Sequence, residues 1–240
     1  FEIEPRTLAA IQQQASQLSV VSAERIGAEM QRMLADKNRS TAVQLLRDSN
    51  LLCQVVPESH RLTSTPAIWQ ELIAQLARLQ TDDFPAAAAI LLRPIIEANG
   101  IALIAQRWKL SNDQRKRIAW SIKHRPALAD AHDLPWSTVQ PMLVSPYIDS
   151  ALAFVAATCD PKHQSGIEFC YQRLAWEAKK LNPPPLLDGR DLIAKGIKPG
   201  PKFKNLLQSA RDRQLDGELN SRAEAMNWVA QQTFDVEQKS

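Results

Sequence analysis

The stretch Ile68-Trp69-Gln70-Glu71-Leu72-Ile73-Ala74-Gln75-Leu76-Ala77-Arg78-Leu79 places a large aliphatic residue at Ile68, Leu72, Leu76 and Leu79. Spacings of four and three return side chains to one face of a helix with about 3.6 residues per turn, so an amphipathic helix is predicted here. The rule extends outward. Leu8, Ile11, Ala15 and Leu18 obey it near the N-terminus, and Val43 and Leu46 obey it between the two. Alternating β-branched runs, which would mark strands, are almost absent. Glycines are few (7) and prolines many (15), and the segments between prolines keep the helical period. The expected fold is all-α, an irregular multi-helix body with short loops at Val56-Pro57-Glu58-Ser59, Leu134-Pro135-Trp136 and Val144-Ser145-Pro146. No repeat of about 20 to 50 residues stands out, which argues against a simple solenoid.

Helix starts carry their own chemistry. Pro5 fits a first helical position, where its missing N–H costs nothing; Ser22 precedes Ala23-Glu24-Arg25, and Ser111-Asn112-Asp113 precedes a helix through Trp120. The clearest break is Leu181-Asn182-Pro183-Pro184-Pro185, because consecutive prolines deny amide donors and hold the backbone extended. A linker is expected there, dividing residues 56–181, the helical body, from residues 182–240, a small basic helical tail. Residues 1–55 form the helices ahead of the body, and the last residues, Phe234 to Ser240, are expected to fray.

Composition limits the function classes. With 45% hydrophobic residues among 240, the chain can bury a real core. It contains no run of about eighteen uncharged apolar residues, and Phe1-Glu2-Ile3-Glu4-Pro5 lacks the basic and apolar segments of a secretion signal, so a cytoplasmic protein is expected. A start at Phe1 rather than Met, directly on an amphipathic pattern, points to a natural N-terminus upstream. Cys53, Cys159 and Cys170 form no C-x-x-C pair and fit reduced thiols better than a disulfide framework. The net charge of +3 is distributed unevenly: between Arg190 and Arg222 eight basic residues face four acidic ones, leaving +4 there and −1 elsewhere. One end of the molecule is therefore suited to a polyanion.

Most candidate chemistries fail on spacing. His60, His124, His132 and His163 show no pair at ligand spacing, and the loose group of Cys159, Asp160, His163 and Cys170 reads as ordinary loop and core residues rather than a zinc site. No Gly-x-Ser-x-Gly turn exists to expose a nucleophile. No metal ligand, catalytic residue or cofactor is assigned within the chain. In Ser22-Ala23-Glu24-Arg25-Ile26-Gly27-Ala28-Glu29, Ser22 can cap a helix on which Arg25 and Glu29 pair four residues apart; on spacing alone this is a solvated surface helix. Lys198-Pro199-Gly200-Pro201-Lys202-Phe203-Lys204 puts three lysines on a turn leading into a helix, where phosphate can meet ammonium groups and terminal amides together. Lys195, Arg211 and Arg213 extend that candidate RNA surface. Phe203, Trp228 and Phe234 read as core or docking residues, and Trp108, Trp120 and Trp176 as packing.

Two stretches carry a resemblance. Phe1-Glu2-Ile3-Glu4-Pro5-Arg6-Thr7-Leu8-Ala9-Ala10-Ile11, followed by Leu18-Ser19-Val20-Val21-Ser22-Ala23-Glu24-Arg25-Ile26 and Glu29, resembles the neck of class II tRNA nucleotidyltransferases and bacterial poly(A) polymerases. Leu186-Leu187-Asp188-Gly189-Arg190-Asp191-Leu192-Ile193-Ala194-Lys195-Gly196-Ile197-Lys198-Pro199-Gly200-Pro201, continuing into Gln214-Leu215-Asp216-Gly217-Glu218, resembles the tail of long bacterial members. The resemblance implies an enzyme of head, neck, body and tail, whose head holds Mg2+ between paired carboxylates and whose neck reads CTP and ATP, both ahead of Phe1. It implies that Ser22, Glu24, Arg25 and Glu29 buttress the helical turn behind the nucleotide pocket, and that the partner is tRNA or another RNA, with no membrane involved. Long relatives also carry an adjacent histidine and aspartate in the body; at the corresponding place stands Leu91-Leu92-Arg93-Pro94, which cannot ligate a metal and argues against phosphohydrolase activity. The rival reading is a helical protein-interaction module whose basic tail is merely solvated.

Overall fold

In the computed structural model, residues 3–96, 100–160 and 164–237 are described, all with side chains except Arg61 and residues 233–237. Every regular element among them is helical. Sixteen α-helices follow in order: α1 Pro5–Gln14, α2 Ala23–Ala35, α3 Arg39–Asp48, α4 Leu52–Val55, α5 His60–Thr63, α6 Pro66–Arg78, α7 Phe84–Leu92 and α8 Gly100–Arg107, then α9 Asn112–Ala129, α10 Trp136–Leu143, α11 Ile148–Thr158, α12 Gln164–Leu174, α13 Ala178–Leu181, α14 Gly189–Ala194, α15 Pro201–Leu215 and α16 Arg222–Glu237. Short 3-10 turns occupy Ala15–Val20, Pro57–Ser59 and Ala131–Asp133.

The expected caps are present. Glu4 accepts from the Thr7 amide at 2.8 Å ahead of Pro5, and the Ser22 hydroxyl accepts from the Arg25 amide at 3.4 Å. Ser111 and Gln114 form a reciprocal capping box at the start of α9, with bonds of 2.9 and 3.1 Å. Each satisfies amides that the first helical turn leaves unpaired.

Contacts divide the chain into two compact units: residues 1–129 with 146–167, and residues 130–145 with 168–240. The first is built around α7. Its sequence, Phe-Pro-Ala-Ala-Ala-Ala-Ile-Leu-Leu, is apolar all round, and every one of its residues is buried. Helices α2, α6, α9 and α11 pack against it. From α2 come Gly27, Met30 and Leu34, at helical spacing, and Trp108 is fully buried with its indole N–H donating to the Val55 carbonyl at 3.1 Å. Arg39 is 3% exposed. Its guanidinium donates to the carbonyls of Leu34, Leu79, Ala35 and Thr81 at 2.9, 2.7, 3.4 and 2.6 Å, tying the end of α2 to the end of α6.

The second unit has its own core of Leu187, Leu192, Leu206, Ala210, Leu219, Ala225 and Val229, with α10 packed on α15. Asp188 and Asp191 form a capping box on α14, and Arg222 on α16 pairs with Asp191. These units do not follow the expected divisions at residues 55 and 181. The proline run is extended, yet it is no free linker. Arg211 donates to the Pro183 carbonyl and Asn182 Oδ1 at 2.8 and 2.9 Å, and Gln214 Nε2 donates to the Pro184 carbonyl at 2.8 Å while its Oε1 accepts from the Leu186 amide at 3.1 Å. Prolines offer carbonyls without amides, and α15 supplies the donors they lack. Of the expected fraying tail, backbone is described to Glu237; its side chains and residues 238–240 lie outside the described residues.

Candidate nucleic-acid interface

The N-terminal motif lies on α2. Its helix start is capped by Ser22, and Glu24 faces Lys109 at 3.7 Å. The expected Arg25–Glu29 pair gives way to another: Glu29 accepts from Arg32 at 2.8 and 3.0 Å. Arg32 lies three residues further on, a spacing as favourable as four on an exposed face, and its Nη1 donates to both carboxylate oxygens. Arg25 and Glu29 instead share the rim of a cleft of about 230 Å³ whose walls, including Leu18, Ile26, Met30 and Leu51, are apolar.

The basic turn sits at the start of α15. Gly200 is the N-cap, with extended backbone, and Pro201 occupies the first turn. The first amide to close within the helix is that of Lys204, onto the Gly200 carbonyl at 3.2 Å, so those of Lys202 and Phe203 are the terminal donors. Lys195, Lys198, Lys202 and Lys204 are exposed, and among the described residues none of their ammonium groups has a hydrogen-bond or ion-pair partner. The two arginines assigned to the same surface are occupied. Arg211 is half-buried in the proline staple, and burial pulls its pKa down; Arg213 pairs with Glu218 and lies 5.3 Å above the Trp228 ring. Phe203 packs on the core of the second unit, as its pattern implied, and Trp228 does the same.

At the place of the missing histidine and aspartate, Arg93 follows α7 and lines a cleft of about 390 Å³ with Glu71, Gln75 and Pro94. Its Nε is buried without a hydrogen-bond partner, and burial, then the nearby Arg125 charge, holds its pKa below the usual arginine value. Among the described residues no three His, Cys, Asp or Glu side chains are grouped to hold a metal ion. His163 lies outside the described residues; Cys170 is buried, which raises its thiol to about 11. No single described helix is long and apolar enough to cross a membrane.

Sequence reading missed an aromatic cluster. Trp108 is core and Trp120 stacks on His124 at 4.4 Å, but Trp176 is only half-buried, beyond the end of α12. Its ring centroid lies 5.5 Å from that of Trp136, with the Arg173 guanidinium and the Lys180 ammonium 4.3 and 4.1 Å from it. The available signal was spacing: Arg173 falls four residues after Phe169 and three before Trp176, and Lys180 four after Trp176.

Comparison with known proteins finds relatives in sequence and in fold. The family model described as "Probable RNA and SrmB- binding site of polymerase A" matches residues 1–62. A CCA-adding enzyme of Limosilactobacillus fermentum is 26% identical over 226 residues, covering 91% of this chain and 52% of the relative. The mitochondrial CCA tRNA nucleotidyltransferase 1 of Danio rerio is 25% identical over 216 residues, covering 87% of this chain and 46% of its own length. Among solved structures, a CCA-adding enzyme with ATP aligns with a TM-score of 0.65 at 19% identity, over 97% of this chain and 57% of the other. The Thermotoga maritima CCA-adding enzyme complexed with tRNA aligns at 0.60 and 19%, over 97% and 57%. The chain matches the class II CCA-adding enzyme and poly(A) polymerase family at family level, and it spans about half the length of the curated relatives it matches.

Proposed function

We propose that this chain is the RNA-holding part of a template-independent nucleotidyltransferase that adds CCA or poly(A), and that it grips tRNA mainly through the backbone. In this reading a separate catalytic head supplies the paired carboxylates, Mg2+ and the CTP or ATP site. The observation that carries the reading is the RNA-binding family match over residues 1–62. The lysine set of the second unit supports it: four exposed ammonium groups lie at or near the uncapped start of α15, where two terminal amides also point outward. A-form duplex presents phosphates and 2′-hydroxyls rather than readable base edges, and scattered lysines suit that surface. Arg211 and Arg213 act in this proposal by holding the lysine-bearing helix in place. Ser22, Glu24, Arg25 and Glu29 support the nucleotide pocket from behind, with Arg25 and Glu29 at the rim of the apolar cleft.

The test replaces Lys198, Lys202 and Lys204 together by alanine and titrates tRNA across several salt concentrations. Each lost phosphate contact lowers the slope of log affinity against log salt by about 0.7 to 0.9, so three contacts change it by roughly two. Identical slopes would remove the phosphate role from this turn. No tRNA binding by the unaltered chain would favour a protein-interaction module instead.

A further inference from the structure

The aromatic cluster of the second unit forms an open pocket of about 610 Å³, walled by Trp136 at the start of α10, Phe169 and Arg173 on α12, and Trp176, with Asp216 at its edge. Trp136 meets Phe169 edge-on, centroids 6.5 Å apart, and is tilted 59° to Trp176 at 5.5 Å. All three rings are half-buried and lie outside the unit's apolar core. Two cations lie against Phe169 and Trp176. The Arg173 guanidinium lies 4.5 Å from the Phe169 centroid and 4.3 Å from that of Trp176, and the Lys180 ammonium lies 4.1 Å from Trp176. Among the described residues neither cation is paired with a carboxylate. The one carboxylate at the edge, Asp216, is occupied by the Ser137 amide and hydroxyl at 2.8 and 2.7 Å, which also fix the start of α10.

We propose that this pocket is a stacking site for an unpaired nucleotide of the bound RNA, with the base on the Trp136, Trp176 and Arg173 surfaces and the adjoining phosphate on Lys180. The inference rests on the RNA-holding reading given above. Its chemistry is specific in two respects. A flat partner gains from aromatic and guanidinium planes presented together, and a negative one gains from cations with no carboxylate partner; a nucleotide satisfies both. The volume lies within the range of about 300 to 1,000 Å³ that takes a small ligand, enough for a base and its sugar. A base inside a duplex has no free face to offer, so the site selects unpaired positions.

The experiment compares the unaltered chain with Trp176→Ala and Trp176→Leu, the second keeping apolar bulk without an aromatic plane, after matched melting temperatures. Probes are intact tRNA, a fully paired RNA duplex and free AMP. Stacking is worth about 1 to 3 kcal/mol per base, so both variants are expected to lose roughly 5- to 150-fold in tRNA affinity, while duplex affinity and the salt slope stay unchanged. Lys180→Ala, on an exposed side chain, is expected to weaken tRNA binding with a smaller slope, and serves if both tryptophan variants misfold. Wild-type tRNA affinity in Trp176→Ala or Trp176→Leu, or in Lys180→Ala if the other two misfold, overturns the proposal and leaves RNA holding intact. Loss of AMP binding with tRNA binding preserved overturns it in favour of a free-nucleotide site. An unaltered chain that binds no tRNA overturns both readings together.

Discussion

Gly27→Ala adds one methyl group to the chain at the point where α2 passes the end of α8. A Cβ at Gly27 would stand 1.9 Å from the Trp108 carbonyl oxygen and 2.7 Å from its carbon. To reach even 3.0 Å, one backbone must withdraw by about 1.1 Å. Neither side yields easily. The carbonyl belongs to a hydrogen-bonded helix end in which the Leu110 amide donates to Ala105 at 2.9 Å and the Lys109 amide to Gln106 at 3.3 Å, with Lys109 in the left-handed region at φ 50°. The indole of Trp108 is fully buried and bonded to Val55. On the other side, α2 is anchored by Met30 and Leu34 against the first unit's core. Overpacking costs about 1 to 3 kcal/mol, here at the upper end because backbone meets backbone. Alanine returns about 1 kcal/mol in helix propensity. The expected net loss is about 2 kcal/mol, a fall in Tm of roughly 4–8 °C for a chain of this size. The assay is thermal unfolding by circular dichroism, with exposed Ala28→Gly as a control that changes propensity by about 1 kcal/mol and nothing else. A Gly27→Ala protein as stable as the wild type, or more so, would show that the contact relaxes freely and would refute the packing argument.

Two further outcomes follow from the structure. Arg39→Ala leaves four carbonyls without their donor and is expected to destabilise the first unit by roughly 3 kcal/mol or more, with Arg39→Lys intermediate because an ammonium cannot span all four; chemical denaturation checks this, and an unchanged midpoint for the alanine variant would sink it. Hydrogen bonding from Arg222 and then from the Asp188 amide holds the Asp191 carboxyl below its ordinary value, so its contribution is present above about pH 4 and disappears as pH falls through the lowered value; melts from about pH 3 to pH 7 should show a shallower acid dependence in Asp191→Asn, and parallel curves would contradict it.

The helices were legible in sequence because their signals are local. Four-residue spacing located α6, yet Ile68 is 45% exposed while Trp69 is 2% exposed, because the buried stripe runs through Trp69, Leu72, Leu76 and Leu79. Ser22, Pro5 and Ser111 marked helix starts for the same local reason. Partners chosen over a distance were not legible. The donors for Pro183 and Pro184 stand 28 and 30 residues further along, and charge counting gave no sign of the intramolecular partners of Arg211 and Arg213, which are carbonyls, Glu218 and Trp228. Within α2, spacing admitted two partners for Glu29, and only the folded geometry distinguishes Arg32 from Arg25. Trp176 fitted a helical rhythm, but its helix ends at Leu174, which leaves the ring at a surface rather than in a core.

The staple across Pro183 and Pro184 bears on where this polypeptide can be cut. A protease acting at the prolines would sever the chain without releasing the segment beyond, since α10 and α15 remain packed together. A gene shortened to end before Pro183 would strip α15 from α10 and uncover the surface on which the two helices meet. Such a product would be sticky rather than minimal. A shorter version that behaves well must keep residues 130–145 and 168–240 as one piece, however inviting three consecutive prolines look as a place to stop.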